Sequence, residues 1–353
     1  MLFEGIILTC STRIKTERTA AAIFHIVSGK KSIQTIQDIR MFELEDFYGI
    51  FKNLPKPVFD KKINELDKLG LLQEKEKSAY DITKSGKEWL ERNSSNLPLD
   101  YYNGLHYSNT AEVYNERLTL LIQTLTNSKK SNFAFIPVIE NSSVEKWVKF
   151  HYKEMKVHEA RLLSSIYNEL RSLLRHFSNQ EAELFVERLT GYRNYGKSIN
   201  QLADKYQMTN VDVKLVLTGM FHRMLHFIQQ ERDNYKFMSF IINDIFHTAL
   251  ITHSANTTYF YLKKACTIEE IAQIRGLKYN TIYDHIVEIA LYDPDFPLTN
   301  YVPKHYQKEI MKAFNATSSF KLKTIKQLVA GDISYFQIRL VLASAKNLLE
   351  SGD

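Results

Sequence analysis

A chain of 353 residues, 44% apolar and 24% charged, carries enough apolar surface for two or three cores, which excludes a mainly disordered protein. Its formal charge of +6 permits an anionic partner without demanding one, and Cys10 and Cys266, two isolated cysteines, cannot build a disulfide framework or a cysteine zinc site. The start "MLFEGIILTC" lacks a basic leader, and no apolar run approaches the roughly 18 residues of a membrane span, so a cytoplasmic location with no membrane contact is expected.

Glycine (12) and proline (7) are scarce, and most long segments show apolar residues at helical spacing. The expected fold class is mainly α and multi-domain, with one small β-hairpin. That hairpin lies in residues 56 to 90. A helix with Ile63, Leu66 and Leu69 on one face stops at Gly70, two short extended pieces follow across the charged tip "EKEKS", and another helix starts near Ser85. With the helices predicted in "KTERTAAAIFHIVSG" and "SIQTIQDIR", this order is that of a winged helix. Lys75 and Lys77 at the tip are then candidate DNA contacts, and Glu74 and Glu76 beside them leave a plain solvated turn open. The polar run "RNSSNLP", 92 to 98, marks a boundary. From about Ala111 to Leu174 amphipathic helices flank a Ser/Asn-rich loop and read as a scaffold.

The most defined local pattern is "CTIEEIAQIRGLKYNTIYDHIVEIALYDPDF", residues 266 to 296. Thr267 and Glu270 form a capping box, Ile268 and Ile271 face inward, and Ala272 permits a close helix crossing. Gly276 supplies a left-handed turn, and Asn280 is expected to cap the second helix, where Ile282, Ile286 and Ile289 pack back. This is helix-turn-helix spacing. Such a motif presents the N-terminal residues of its second helix to a major groove, which makes Lys278, Tyr279, Asn280, Thr281 and His285 candidate DNA-binding residues. Asp284 and Glu288 on the same helix oppose phosphate. The pattern echoes 69 residues earlier in "KSINQLADKYQMTNVDVKLVL", where Gln207 stands at the glycine position. Packing element and DNA reader both remain open for that copy.

Downstream, Lys304, Lys308 and Lys312 recur at i, i+4 and i+8, and Lys321, Lys323 and Lys326 follow; between 301 and 326 six lysines meet a single acid, Glu309. Such a stripe can follow a phosphate backbone, or be a solvated helix face. His222 and His226, one turn apart, sit among Phe221, Leu225 and Phe227 as core histidines rather than a metal pair, and "YDPDFP" reads as the loop ending a helix. No metal, cofactor or catalytic residue is expected. No G-x-x-x-x-G-K-[ST] loop occurs, so the chain has no ATP motor of that kind.

"TIEEIAQIRGLKYNTIYDHIVEIA" and "LKTIKQLVAGDISYFQIRLVLA" resemble the start and finish of the helix-turn-helix domain at the C-terminal end of several RecQ-type helicases, across roughly 263 to 345. The whole chain resembles the YpbB family, stand-alone proteins that carry this domain without a helicase motor and are encoded beside a short RecQ-family helicase. The resemblance implies a non-enzymatic accessory protein of a RecQ-family helicase in DNA repair or recombination, acting in the cytoplasm at the nucleoid on duplex, forked or single-stranded DNA. A helix-turn-helix transcription regulator and a pure protein-interaction scaffold remain alternatives. The expected domains are a winged-helix-like domain (1–97), a helical scaffold (98–190), a helix-turn-helix-like helical domain (191–262) and a helicase-type helix-turn-helix domain (263–353).

Overall fold

The structure, a computed structural model, describes residues 1–155, 159–246, 251–317 and 319–350, with side chains described except at Lys77, 154–160 and 345–350. Its helices in chain order are α1 (Leu2–Ile14), α2 (Ala20–Val27), α3 (Ile33–Met41), α4 (Lys56–Lys68), α5 (Lys84–Asn93), α6 (Gly104–Ser128), α7 (Ser142–Met155), α8 (Glu159–Leu174) and α9 (Asn179–Val186). There follow α10 (Ile199–Tyr206), α11 (Asn210–Gln230), α12 (Lys236–Ile242), α13 (His253–Lys263), α14 (Ile268–Arg275), α15 (Tyr279–Tyr292), α16 (Lys304–Thr317), α17 (Leu322–Lys326) and α18 (Tyr335–Glu350). Between α4 and α5 the strands β1 (Leu72–Glu74) and β2 (Tyr80–Ile82) form one antiparallel pair, with Leu72 opposite Ile82 and Glu74 opposite Tyr80. The fold is mainly α with one small hairpin, as the residue pattern predicts. Among the described residues no helix is long and apolar enough to cross a membrane.

The chain gathers into two compact units, each discontinuous in sequence. One comprises Met1–Thr9, Asp46–Val58 and Ser85–Thr248. Here α6 packs against α7, α8, α11 and α12, so helices on both sides of residue 190 share this unit. α11 buries Leu215, Val216 and Leu217 in succession, together with Met220, Met224 and Ile228. A helix apolar on all sides belongs inside a core rather than on its surface.

The other unit comprises Cys10–Glu45, Phe59–Lys84 and Ala249–Asp353. Its core holds Ile271, Ile282, Ile286, Ile310, Ile325 and Val341, with Ile33 and Met41 of α3 packed against it. In α4, Phe59, Ile63 and Leu66 are buried at helical spacing. Leu69, expected on that face, is instead 69% exposed, because the helix ends at Lys68 and the left-handed Gly70 (φ 67°) turns the chain into β1. Polar contacts within the unit join early and late residues of the chain. Glu17 accepts from the Ser319 hydroxyl (2.8 Å) and the Phe320 amide (3.0 Å), and Arg40 lies over the Tyr292 ring at 4.6 Å.

Candidate nucleic-acid interface

The helix-turn-helix forms as its local chemistry dictates. The Thr267 amide donates to the Glu270 carboxylate (2.8 Å) while the Glu270 amide donates to Thr267 Oγ1 (3.2 Å), satisfying donors at the start of α14. Gly276 ends the helix in the left-handed region (φ 61°, ψ 34°), and the Leu277 amide bonds back to the Ala272 carbonyl at 2.9 Å. That return brings the chain into α15 early. Lys278 occupies the cap position without a side-chain cap bond, and Asn280, expected to cap, is the second residue of the helix.

The upstream echo has the same backbone. Ser198 and Gln201 make a reciprocal capping box, Gln207 is left-handed (φ 53°, ψ 43°), and the Met208 amide bonds to the Ala203 carbonyl at 2.9 Å. Its second helix is α11, whose burial closes it to any groove, and the start of that helix is also engaged: Asp212 accepts from the Met1 ammonium and the Phe3 amide, both at 2.9 Å. This copy is a packing element. A glutamine in the left-handed region carries a strain that glycine does not, so Gln207→Gly is expected to stabilise its unit by about 0.5–1 kcal/mol. Trp89 and Trp147, the chain's two tryptophans, lie in that unit, so urea unfolding followed by tryptophan fluorescence reads the shift. A midpoint that stays or falls would refute the strain.

The predicted contacts separate into two groups. Lys278, Tyr279 (51% exposed) and Asn280 are exposed on the first turn of α15, with Thr281 half-buried beside them. His285 is buried, which corrects its expected role as a DNA contact. Its Nδ1 lies 2.8 Å from Thr258 Oγ1 and 3.3 Å from Arg275 Nη1; a guanidinium only donates, so Nδ1 accepts and the ring is neutral. Burial first, and Arg275 second, hold its pKa below the usual imidazole value. From His285 to Ala290 every residue of α15 is buried, because α13, α18 and α3 pack around that half. Only the first turn is open.

The two acids on α15 are tied off. Asp284 pairs with Arg339 at 2.7 Å, and Glu288, buried, accepts from the amide (2.5 Å) and hydroxyl (3.1 Å) of Thr252 at the start of α13. Burial raises the Glu288 pKa against those hydrogen bonds. Lys304, Lys308 and Lys312 on α16, and Lys321 and Lys323 at the start of α17, are exposed, and none forms an ion pair with a described residue. Lys326 differs: its ammonium donates to the carbonyls of Gly331 (2.9 Å), Ala330 (3.4 Å) and Ile333, fastening the loop before α18. Lys75 is exposed at the hairpin tip, bonded to Gln73 Oε1 at 2.6 Å, while the Lys77 side chain lies outside the described residues.

Residues 254–342, from within α13 to within α18, match a family described as a helix-turn-helix domain. Over 342 residues the chain is 30% identical to Protein YpbB of Bacillus subtilis (strain 168), covering 96% of each chain. The chain belongs to the YpbB family. No solved structure matches it.

In this member of the YpbB family the helix-turn-helix depends on two arginines that sequence reasoning passed over. Arg275 donates to the Ser254 carbonyl (2.8 Å) and hydroxyl (2.9 Å) and to Thr258 Oγ1, pinning α14 to α13. Arg339 neutralises Asp284 and reaches Gln37 of α3 at 3.3 Å. Arg275 stands among Glu269, Glu270 and Gln273 of α14 and Arg339 within the mostly apolar run "IRLVLA", so residue type alone does not reveal the partner of either. His222 is fully buried in α11, consistent with its reading as a core histidine, while His226 on the same helix is exposed.

Proposed function

We propose that the chain is a non-enzymatic DNA-binding and docking subunit of a RecQ-family DNA helicase, serving repair or recombination in the cytoplasm at the nucleoid. The observation that carries this reading is the open first turn of α15, the second helix of the helix-turn-helix, whose own two acids, Asp284 and Glu288, are engaged internally. Lys278 and Asn280 stand where base edges or phosphates are reached in such motifs, and Tyr279 adds a ring that hydrogen-bonds the backbone or stacks. In the same reading α2, α3, α4 and the hairpin act as a winged helix with Lys75 and Lys77 at its tip, and the lysines of α16 and α17 grip the backbone. ATP hydrolysis then belongs to the partner, whose motor would gain in trans the DNA-grasping modules that other helicases carry on one chain.

The deciding experiment is a pull-down with the tagged full-length chain from cytosol, with and without nuclease treatment. A RecQ-family helicase retained after nuclease digestion is the expected result. A helicase released by the nuclease would mean that the two share DNA and do not dock. A single tight duplex sequence selected from a random pool would favour a transcription regulator instead.

A further inference from the structure

Within the unit that holds the helix-turn-helix, a recess of about 800 Å³ opens between the loop before α2, the start of α3, the hairpin tip and the α16–α17 junction. Lys30, Lys75 and Lys321 line it, one from each of three well-separated stretches of sequence. All three are exposed, and none forms an ion pair with a described residue. The acids along the wall are mostly spent. Asp38 is buried and held by Arg18 (2.9 Å) and Gln34 (2.8 Å), and Glu17 accepts from Ser319 and Phe320. That leaves Glu76 as the one wall carboxylate without a described partner, against three ammonium groups that meet no described anion, Lys75 bonding only the neutral Gln73 Oε1 (2.6 Å) and Lys30 lying 3.4 Å from His25 Nε2. The Thr19 hydroxyl at the start of α2 makes no capping bond and can donate into the same space.

We infer that this recess seats the phosphodiester backbone of a single nucleic-acid strand. Lysine ammonium and hydroxyl groups are the usual partners of phosphate oxygens, and they position a strand without reading its sequence. A duplex is too stiff to bend into a recess, whereas a single strand is flexible enough to lay successive phosphates on its floor. The site differs from the α16 stripe and from the first turn of α15, and it unites Lys75 of the hairpin with Lys321 of the C-terminal region in one contact surface. It rests on the DNA-binding reading above.

The test uses the full-length chain with Lys30→Glu, Lys75→Glu and Lys321→Glu combined, against labelled single-stranded, duplex and forked oligonucleotides of equal length in a salt series. Single-strand affinity is expected to fall on the order of a hundredfold at about 50 mM salt, and the log–log salt slope by about 2, at roughly 0.7 per lost contact. Duplex affinity should change far less. All three positions are exposed, and a parallel set with glutamine, checked by circular dichroism, separates lost charge from misfolding. Wild-type binding of single strands that survives unchanged in both variants overturns the inference and leaves DNA binding standing. Equal losses on duplex and single strand overturn the single-strand assignment. A wild-type chain that binds none of the three oligonucleotides overturns the inference and the DNA-binding reading together.

Discussion

Charge reversal at Lys304, Lys308 and Lys312 is expected to weaken binding of the full-length chain to duplex or forked DNA by on the order of 10²–10³-fold at about 50 mM salt, and to lower the salt slope by about 3. The three lysines repeat every four residues on α16, so successive ammonium groups are displaced by about 6 Å along the axis and lie along one side. Ile310 and Ala313 bury the opposite side, which fixes the helix and aims the lysines at solvent. The acid of this helix does not quench them, because the Glu309 carboxylate accepts from the Ala330 amide at 2.6 Å. Each phosphate contact releases about 0.9 counterion from B-DNA, so three contacts account for the slope, and the loss must shrink as salt rises. The measurement is fluorescence anisotropy across a salt series. Unchanged affinity at every salt concentration would mean that the stripe is a solvated face, and would shift the reading toward a protein-interaction scaffold.

Local chemistry made the turn between α14 and α15 legible in the sequence. A capping box, a small residue at the crossing and a glycine in the left-handed region act over ten residues, and each is read without knowing the fold. The upstream copy was legible for the same reason, even with Gln207 in place of glycine. What failed were inferences that needed to know the neighbours. His285 follows Ile282 by three residues and precedes Ile289 by four, so helical spacing already placed it on the buried face, yet its partners on α13 and α14 appear only once those helices are packed. Glu288 reads as a repulsive charge until the start of α13 is seen to use it. Asn280 lost the cap position to Lys278 because backbone bonding at Leu277 outweighed side-chain preference. The four segments expected from motif order are contiguous, while the two compact units each collect distant pieces of chain, a gathering that local patterns do not encode. Periodicity reports that a face is covered and is silent on which distant helix covers it.

Acid should destabilise the unit containing α11 well above the carboxylate range, through His222. This side chain is fully buried. Its Nδ1 accepts from the Asn103 amide at 3.2 Å, and Nε2 is enclosed without a hydrogen-bond partner among the described residues. Protonation would break the first bond and place a cation against the Tyr102 and Tyr107 rings, 6.1 and 5.9 Å away centre to centre. Burial foremost, with Lys52 adding to it, pushes the pKa down from 6.5 to about 3. Between those values the unfolded chain binds one more proton than the folded one, so stability declines as pH falls, by about 1.4 kcal/mol per pH unit, and is about 2 kcal/mol lower at pH 5 than at neutral pH. His222→Asn keeps an acceptor near Nδ1 and removes the titration, at a neutral-pH cost of about 1–3 kcal/mol for imperfect filling. Urea unfolding by tryptophan fluorescence between pH 7.5 and pH 5 should therefore show the wild type losing stability faster than the variant, with the gap between them narrowing by about 2 kcal/mol. Parallel pH profiles would mean that the imidazole titrates alike in the folded and unfolded states, and that the centre of α11 is open to water.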